Sequence, residues 1–151
     1  MRWVLPSGGL VLLAITGCGG QAGGSAAGPP PVYSPGVVEE PITSVLLAAL
    51  DADRRFLTVD SLWDPEASVV ADGSPRYAPP RFAGIDAGGE VAITASRLEV
   101  RQSLVWVAFD YRWISIREGI AREAKATALL TPRGEGGGWR IVHLHTSTTR
   151  D

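Results

Sequence analysis

The chain's two histidines, His143 and His145, have a spacing that suggests chemistry. They lie two positions apart in a segment that predicts a β-strand, so both side chains point to the same face of a sheet. Such a pair can supply two zinc ligands, but a zinc site needs a third and the sequence has no other histidine. Neutral imidazole also suits acid–base catalysis. We expect both to be hydrogen-bonded structural residues at a subunit contact, and we predict no metal site and no cofactor.

Asp110 is a carboxylate within segment 104–116, the most apolar of the predicted strands. Alternation along this strand places Asp110 on one face with Trp106 and Arg112. If that face lines a pocket, Asp110 is a candidate for proton transfer. The alternative is an ion pair across strands or along the same face, for example with Arg112. We favour the ion pair because buried charges are usually paired.

Tyr77 and Arg81 lie in a proline-rich loop that follows the turn signal Asp72-Gly73. Arg81 could hold a ligand carboxylate, and Tyr77 could donate a hydrogen bond. We favour the alternative, in which Asp72-Gly73 only forms the turn and Tyr77 anchors the loop. The candidate catalytic residues are therefore Asp110, Tyr77, His143 and His145. The candidate ligand-binding residues are Trp63, Tyr77, Arg81, Trp106, Asp110 and Arg112.

Composition excludes several classes of function. The 151 residues include 14 Lys and Arg against 16 Asp and Glu, a formal charge of −2, so the chain has no basic surface for nucleic acid. Its single cysteine excludes an internal disulfide and a cysteine-based zinc cage. No G-x-S-x-G motif occurs. The glycine-rich segment 134–138 lies between two predicted strands, so it predicts a hairpin turn and not a phosphate loop.

Two helices are predicted ahead of the strands. Pro41 fits the first turn of a helix whose apolar positions recur at helical spacing as far as Leu50. Asp53 is suited to cap a second helix over 53–63. Asp64-Pro65 would end that helix, because the residue before a proline avoids helical geometry. A further, weak helix is predicted over 85–92.

The rest of the chain predicts strands. A short strand over 67–71 is followed by four longer ones over 94–101, 104–116, 121–131 and 139–148. Strict alternation in the last strand would place Trp139, Ile141, His143, His145 and Ser147 on one face. Helices followed by antiparallel strands indicate an α+β domain over residues 41–151, with the helices packed on one face of a sheet.

Four segments carry a resemblance to a known family. They are Leu-Trp-Asp-Pro-Glu-Ala at 62–67, Val-Val-Ala-Asp-Gly at 69–73, Pro-Arg-Phe-Ala-Gly at 80–84 and Gly-Gly-Trp-Arg-Ile-Val-His-Leu-His-Thr-Ser at 137–147. Together they resemble the SnoaL-like branch of the nuclear transport factor 2-like superfamily, and the last also resembles the association domain of calmodulin-dependent kinase. The resemblance implies a cone-shaped α+β domain, with N-terminal helices packed on a curved, mostly antiparallel sheet. It also implies a pocket between helix and sheet, and dimerisation through the outer sheet face. It implies no activity, because members include isomerases, cyclases, dehydratases and non-catalytic assembly modules.

The N-terminal residues predict an export signal. Arg2 is followed by an apolar run and then by small residues, which is the pattern of a secretory signal peptide. Ile15-Thr16-Gly17-Cys18 resembles the bacterial lipobox, which implies cleavage before Cys18 and acylation of that cysteine. An ordinary signal with an incidental cysteine, or a short uncut anchor, is the alternative. We predict a signal peptide over 1–17, a lipidated Cys18 with a flexible linker over 18–40, and an exported protein tethered to membrane lipid in the bacterial envelope.

These features predict a membrane-anchored, non-catalytic domain that forms a homodimer and binds a small apolar ligand or a protein partner. The alternative is an enzyme of the isomerase, cyclase or dehydratase type that does acid–base chemistry on a small hydrophobic substrate in the cone pocket. The contents of the cone distinguish the two. A cavity where Asp110 meets a second polar group favours the enzyme. A cavity plugged by Trp63, Trp106 or Phe82 favours the non-catalytic domain.

Overall fold

The computed structural model of the chain describes residues 35–76, 81–86, 89–134 and 137–149. The predictions for the signal peptide, Cys18, Tyr77 and most of the linker fall outside these residues. The described elements are a long helix, a short 3-10 turn and six strands of one sheet. Their bounds are α1 Pro35–Arg54, the turn Asp60–Leu62, β1 Trp63–Ala71, β2 Ser74–Arg76, β3 Val91–Arg101, β4 Leu104–Ser115, β5 Ile120–Pro132 and β6 Trp139–Thr148.

The sheet has the strand order β2-β1-β6-β5-β4-β3. Strands β3 to β6 form an antiparallel meander, as their alternating sequences predict. β1 joins the other side of β6 in parallel, and β2 pairs antiparallel with β1. The four longer predicted strands match β3 to β6, with the largest difference at β3, which begins at 91 and not at 94. The predicted α+β architecture is therefore confirmed.

Helix α1 presents one apolar face to the sheet. Val38, Ile42, Leu46, Ala49 and Leu50 recur at helical spacing, and each is at most 2% exposed. The helix packs against β3 and β6. It begins at Pro35, so the last part of the range predicted as linker is helical. Among the residues that the structure describes, no helix has the length and apolar character needed to cross a membrane.

The predicted second helix over 53–63 does not form. α1 continues through Asp53, and Phe56 then turns the chain with a left-handed φ of 54°. Trp63 begins β1 and pairs with Ile141 of β6. Pairing in the sheet prevails over the local helical spacing because helix propensity is a weak preference that tertiary contacts override.

The weak helix predicted over 85–92 is also wrong, since its described residues are not helical and Val91 already belongs to β3. Gly89 permits a close approach between two segments at this point. A Cβ atom at Gly89 would lie 1.7 Å from the carbonyl oxygen of Ile114, so the two backbones can approach only at a glycine. Beside it, the Ile114 N–H donates to the Glu90 carbonyl oxygen at 3.1 Å.

A β-bulge in β6 changes the predicted alternation of that strand. Leu129 of β5 faces His143, whereas the next residue, Leu130, faces Ile141. Val142 is therefore an extra residue in β6.

The bulge reverses the facing of the second half of β6. The buried side chains of this strand are Trp139 and Ile141 before the bulge and Leu144 and Thr146 after it. His143 and His145 therefore share one face with each other but lie on the opposite face from Trp139 and Ile141. The prediction that all four side chains share one face is wrong. One inserted residue has this effect because strand side chains alternate with a period of two.

Candidate functional site

Aromatic side chains fill the space between α1 and the sheet, where the resemblance predicts a pocket. They are Trp63 of β1, Phe82 of the segment before β3, and Phe109, Tyr111 and Trp113 of β4. Phe82 is central, with its ring centroid 6.2 Å from those of Trp63 and Phe109. It lies edge-on to Tyr111 at 5.4 Å, and Tyr111 stacks on Trp113 at 5.7 Å. Trp63 and Phe82 therefore plug the described part of the cone.

The Tyr111 hydroxyl is the polar group of this aromatic cluster. It donates to the Ala83 carbonyl oxygen at 2.9 Å, so the 2.6 Å contact with Thr146 Oγ1 is one in which Thr146 donates. Burial raises the pKa of Tyr111 well above its usual range, which keeps the hydroxyl protonated. Tyr111 thus fastens the Phe82 segment to the sheet.

Asp110 lies on the outer face of the sheet, which is the face turned away from α1. The buried face of β4 carries the alternate residues, so Trp106 and Arg112 share the outer face with Asp110. Directly opposite on β5, Lys125 Nζ donates to Asp110 Oδ2 at 2.9 Å. Asp110 therefore forms a cross-strand ion pair, and its partner is Lys125 and not Arg112. Because both side chains are exposed, this pair contributes at most about 1 kcal/mol to stability.

The two histidines also lie on the outer face. His143 Nδ1 is 2.7 Å from Ser68 Oγ, and these residues are register partners on β6 and β1. His145 is flanked by Val70 of β1 and Thr127 of β5. Within the described ranges, no group of three His, Cys, Asp or Glu side chains is placed to hold a metal ion.

A shallow depression of about 410 Å³ crosses the outer face from β3 to β6. It is lined by Ala95, Ser96, Arg97, Ala108, Phe109, Asp110, Lys125, Ala126, Thr127, His145 and Ser147. Two of the candidate catalytic residues, Asp110 and His145, thus share one surface, but that surface is open to solvent and lies outside the cone.

Asp53, whose position in the sequence predicts a helix cap, is a buried carboxylate. It lies in the last turn of α1, is 5% exposed, and accepts the Phe82 N–H on Oδ2 at 2.6 Å. Burial raises the pKa of Asp53 from 3.8 to about 6, against the opposing effects of the Phe82 N–H and of Arg81. The sequence held a signal for this position, because 42, 46, 49 and 53 recur at helical spacing and place the carboxylate on the apolar face.

A cavity of about 280 Å³ lies beside Asp53 at the C-terminal end of α1. It is lined by Ala52, Asp53, Leu57, Thr58, Val59, Asp60, Trp63, Asp64, Pro65 and Arg81. The Arg81 guanidinium carbon lies 4.8 Å from the ring centroid of Phe56, which holds this side chain by a cation–π contact. The cavity combines an apolar wall with a buried acid.

The long helix over a curved six-stranded sheet is found in solved structures. A nuclear transport factor 2-like superfamily protein from Salmonella enterica serovar Typhimurium LT2 superposes with a TM-score of 0.56 at 17% identity, covering 78% of this chain and 95% of that chain. The chain has the nuclear transport factor 2-like fold. No family model matches the chain, and no curated protein matches it either.

Two further proteins with the nuclear transport factor 2-like fold differ in their described roles. A putative ketosteroid isomerase from Parabacteroides distasonis gives a TM-score of 0.53 at 14% identity, covering 72% of this chain and 86% of that chain. The association domain of CaMKII from C. elegans gives a TM-score of 0.54 at 17% identity, covering 75% and 97%. At these identities the likeness shows the fold alone.

In this nuclear transport factor 2-like domain, the sequence-predicted ligand-binding residues do not converge. Trp63 and Arg81 meet at the cavity beside Asp53. Trp106, Asp110 and Arg112 lie on the outer face of β4. These candidate residues therefore lie in two separate places on the described part of the chain.

Proposed function

We propose that this chain is an exported, lipid-anchored protein of the SnoaL-like branch. We further propose that its folded domain is a non-catalytic assembly module that forms a homodimer and offers a surface to a protein partner. The observation that carries the proposal is the aromatic plug of Trp63 and Phe82. These rings occupy the space in which an enzyme of this fold needs its substrate, and a substrate pocket has to be a cavity.

The acid–base enzyme has less support. Its candidate groups Asp110, His143 and His145 lie on the outer face of the sheet, where no enclosed volume excludes water. Inside the cone, both hydrogen bonds of the Tyr111 hydroxyl hold the fold together.

The outer face of the sheet has the composition of a self-complementary contact. Apolar side chains alternate there with polar ones. Ala108 lies between Arg97 of β3 and Thr127 of β5, and Trp106 lies opposite Leu129. Asp110 and Lys125 provide opposite charges side by side. A two-fold axis through this surface would let each copy's acid meet the other copy's base.

We expect Ala108→Arg to convert the dimer to a monomer, because a long cation at the centre of the outer face would be buried against a second copy. The oligomeric mass of the full-length chain carrying Cys18→Ser should be measured by light scattering. Ala48→Arg, which makes the same change on the exposed face of α1, should stay dimeric. A wild-type monomer, or a dimer that is insensitive to Ala108→Arg, would contradict the proposed interface.

Anchoring is supported by the lipobox-like sequence that ends at Cys18, the single cysteine of the chain. We expect the wild-type chain made in bacteria to incorporate radiolabelled palmitate and to sediment with membranes, because two or more acyl chains hold a protein stably. Cys18→Ser should lose both properties. In the double variant Cys18→Ser/Ser25→Cys the thiol is displaced from the lipobox, so label in this variant would show that the cysteine is modified without the motif.

A further inference from the structure

The cavity at the C-terminal end of α1 is separate from the outer face of the sheet. Apolar side chains form one of its walls: Leu57, Val59, Trp63 and Pro65. Its volume of about 280 Å³ suits a small ring or a short chain. Such a wall favours an apolar body in the occupant, since the driving force grows with the apolar surface removed from water.

Asp53 presents an incompletely paired carboxylate to this cavity. Oδ2 accepts the Phe82 N–H, but Oδ1 has no hydrogen-bond partner among the described residues. Asp53 lines the cavity although it is only 5% exposed. Among the described residues, Oδ1 is therefore the Asp53 carboxylate oxygen without a hydrogen-bond partner, on a side chain that lines the cavity.

The charges around the cavity leave a negative excess. Asp64 forms an ion pair with Arg140, because its Oδ2 atom lies 3.0 Å from Arg140 Nε. The Nε–H bond does not point at this oxygen, so the contact is not a hydrogen bond. Asp53 and Asp60 remain, with Arg81 as the opposing charge on the lining. Arg81 lies over the Phe56 ring. Among the described lining residues the net charge is therefore negative, which favours a cation over an anion.

We propose that this cavity binds a small organic amine, with the ammonium group on the free oxygen of Asp53 and the apolar body against Trp63 and Leu57. This geometry would give a charge-assisted hydrogen bond in a partly desolvated site, which is among the stronger polar contacts in proteins. Trp63 lines the same cavity, and the face of an aromatic ring can attract a cation. The site is independent of the proposed assembly role.

Metal ions are a poorer fit for this cavity. The described acidic side chains do not form a group of three that converges on one point. A divalent cation with oxygen ligands needs several such donors. A single ammonium group needs only one carboxylate with a free oxygen, which Asp53 supplies.

Binding should depend on pH through Asp53, whose pKa is raised to about 6 by burial. The charged and titratable groups around it are Arg81, Asp60, Asp64 and, from β4, Tyr111. Because only the ionised carboxylate attracts an ammonium group, the apparent Kd follows the ionised fraction. The affinity for an amine at pH 5 should be about tenfold lower than at pH 8.

The test uses three probes of one shape: benzylamine, benzyl alcohol and benzoate. The full-length chain carrying Cys18→Ser is labelled with ¹⁵N, and each probe is titrated at pH 8. The Phe82 amide and the Trp63 indole are followed by NMR, because the first is bonded to Asp53 and the second lines the cavity. We expect saturable shifts at both positions with benzylamine, and at least tenfold weaker binding of benzyl alcohol and benzoate.

Asp53→Asn keeps an oxygen for the Phe82 N–H but removes the charge, so it should lower benzylamine affinity at least tenfold and leave benzyl alcohol unchanged. Glu40→Gln removes an exposed carboxylate from the same helix and should bind benzylamine as the wild type does. Equal binding of the three probes, or an unchanged amine preference in Asp53→Asn, overturns the proposal. If Asp53→Asn does not fold, the wild-type pH profile decides: an affinity that is constant from pH 5 to pH 8 also overturns it.

Discussion

Phe82→Ala is expected to lower the free energy of unfolding by about 3–5 kcal/mol, the usual range for removing a buried aromatic ring. Phe82 is 5% exposed and contacts Trp63, Phe109 and Tyr111 through its ring. Its segment is held by the Asp53 carboxylate and the Tyr111 hydroxyl, so the backbone cannot collapse freely into the space that the ring leaves. Chemical denaturation measures the loss.

Phe56→Ala is the matched control, because Phe56 is 57% exposed and its ring contacts Arg81. Its loss should stay within about 1 kcal/mol, the worth of an exposed cation–π contact. If Phe82→Ala costs no more than Phe56→Ala, the aromatic plug does not hold the cone together. Phe82→Leu, which keeps most of the volume, gives the same comparison if the alanine variant does not fold.

The same variant tests whether the plug is what closes the cone. With the ring gone, a dry apolar cavity should remain between α1 and β4, and such cavities take up small apolar molecules. We expect benzene to raise the stability of Phe82→Ala with the logarithmic dependence on concentration of a bound ligand, and to have no such effect on the wild type. This result would show that removing the Phe82 ring alone is enough to open a ligand-binding cavity in the interior of this chain.

The strands were predictable because their signal is local. In β4 the residues Val105, Val107, Phe109, Tyr111 and Trp113 alternate with outward-facing ones, and a period of two needs no knowledge of the partner strand. Alternation alone therefore groups these five residues on one face of the strand. The alternation does not tell which of the two faces of β4 packs against α1. Only the position of the helix decides that, and with it whether Asp110 lines a cavity or an open surface.

The elements that sequence reasoning missed depend on distant contacts. Trp63 belongs to β1 because it pairs with Ile141, far along the chain. Val142 forms a bulge because the consecutive residues Leu129 and Leu130 of β5 pair with His143 and Ile141, which leaves one residue of β6 between them unpaired. Gly89 lies against the Ile114 backbone, where no side chain would fit. None of these contacts leaves a periodic trace in the neighbouring residues.

The surroundings of the candidate site residues were hard to predict from the sequence for a related reason. Asp110 and the two histidines attract attention because polar groups in an apolar strand are unusual, but one face of this sheet is exposed and can carry them. Asp53 is a less conspicuous candidate, because the segment Asp51-Ala52-Asp53 is typical of the end of a helix. Its burial follows from the segment that Phe82 brings across the end of α1, 29 residues further along the chain.

Asp53→Asn is expected to make the protein more stable at neutral pH and to remove part of its pH dependence. In the wild type, burial raises the Asp53 pKa from 3.8 to about 6, so the folded chain holds this proton more tightly than the unfolded chain does. The stabilising effect of that proton is complete below about pH 4, declines as the pH rises to 6, and is absent above it. A shift of about two units corresponds to about 3 kcal/mol.

The measurement is the free energy of unfolding of wild type and Asp53→Asn at intervals from pH 4 to pH 8. The difference between them should move in favour of the variant by up to about 3 kcal/mol across that window and stay constant above pH 7. Glu40→Gln, which removes an exposed carboxylate from α1, should run parallel to the wild type. A difference that does not change with pH would mean that the folded and unfolded chains bind the Asp53 proton equally well. The carboxylate would then carry no cost of burial, although it would still serve as the acceptor for the Phe82 N–H.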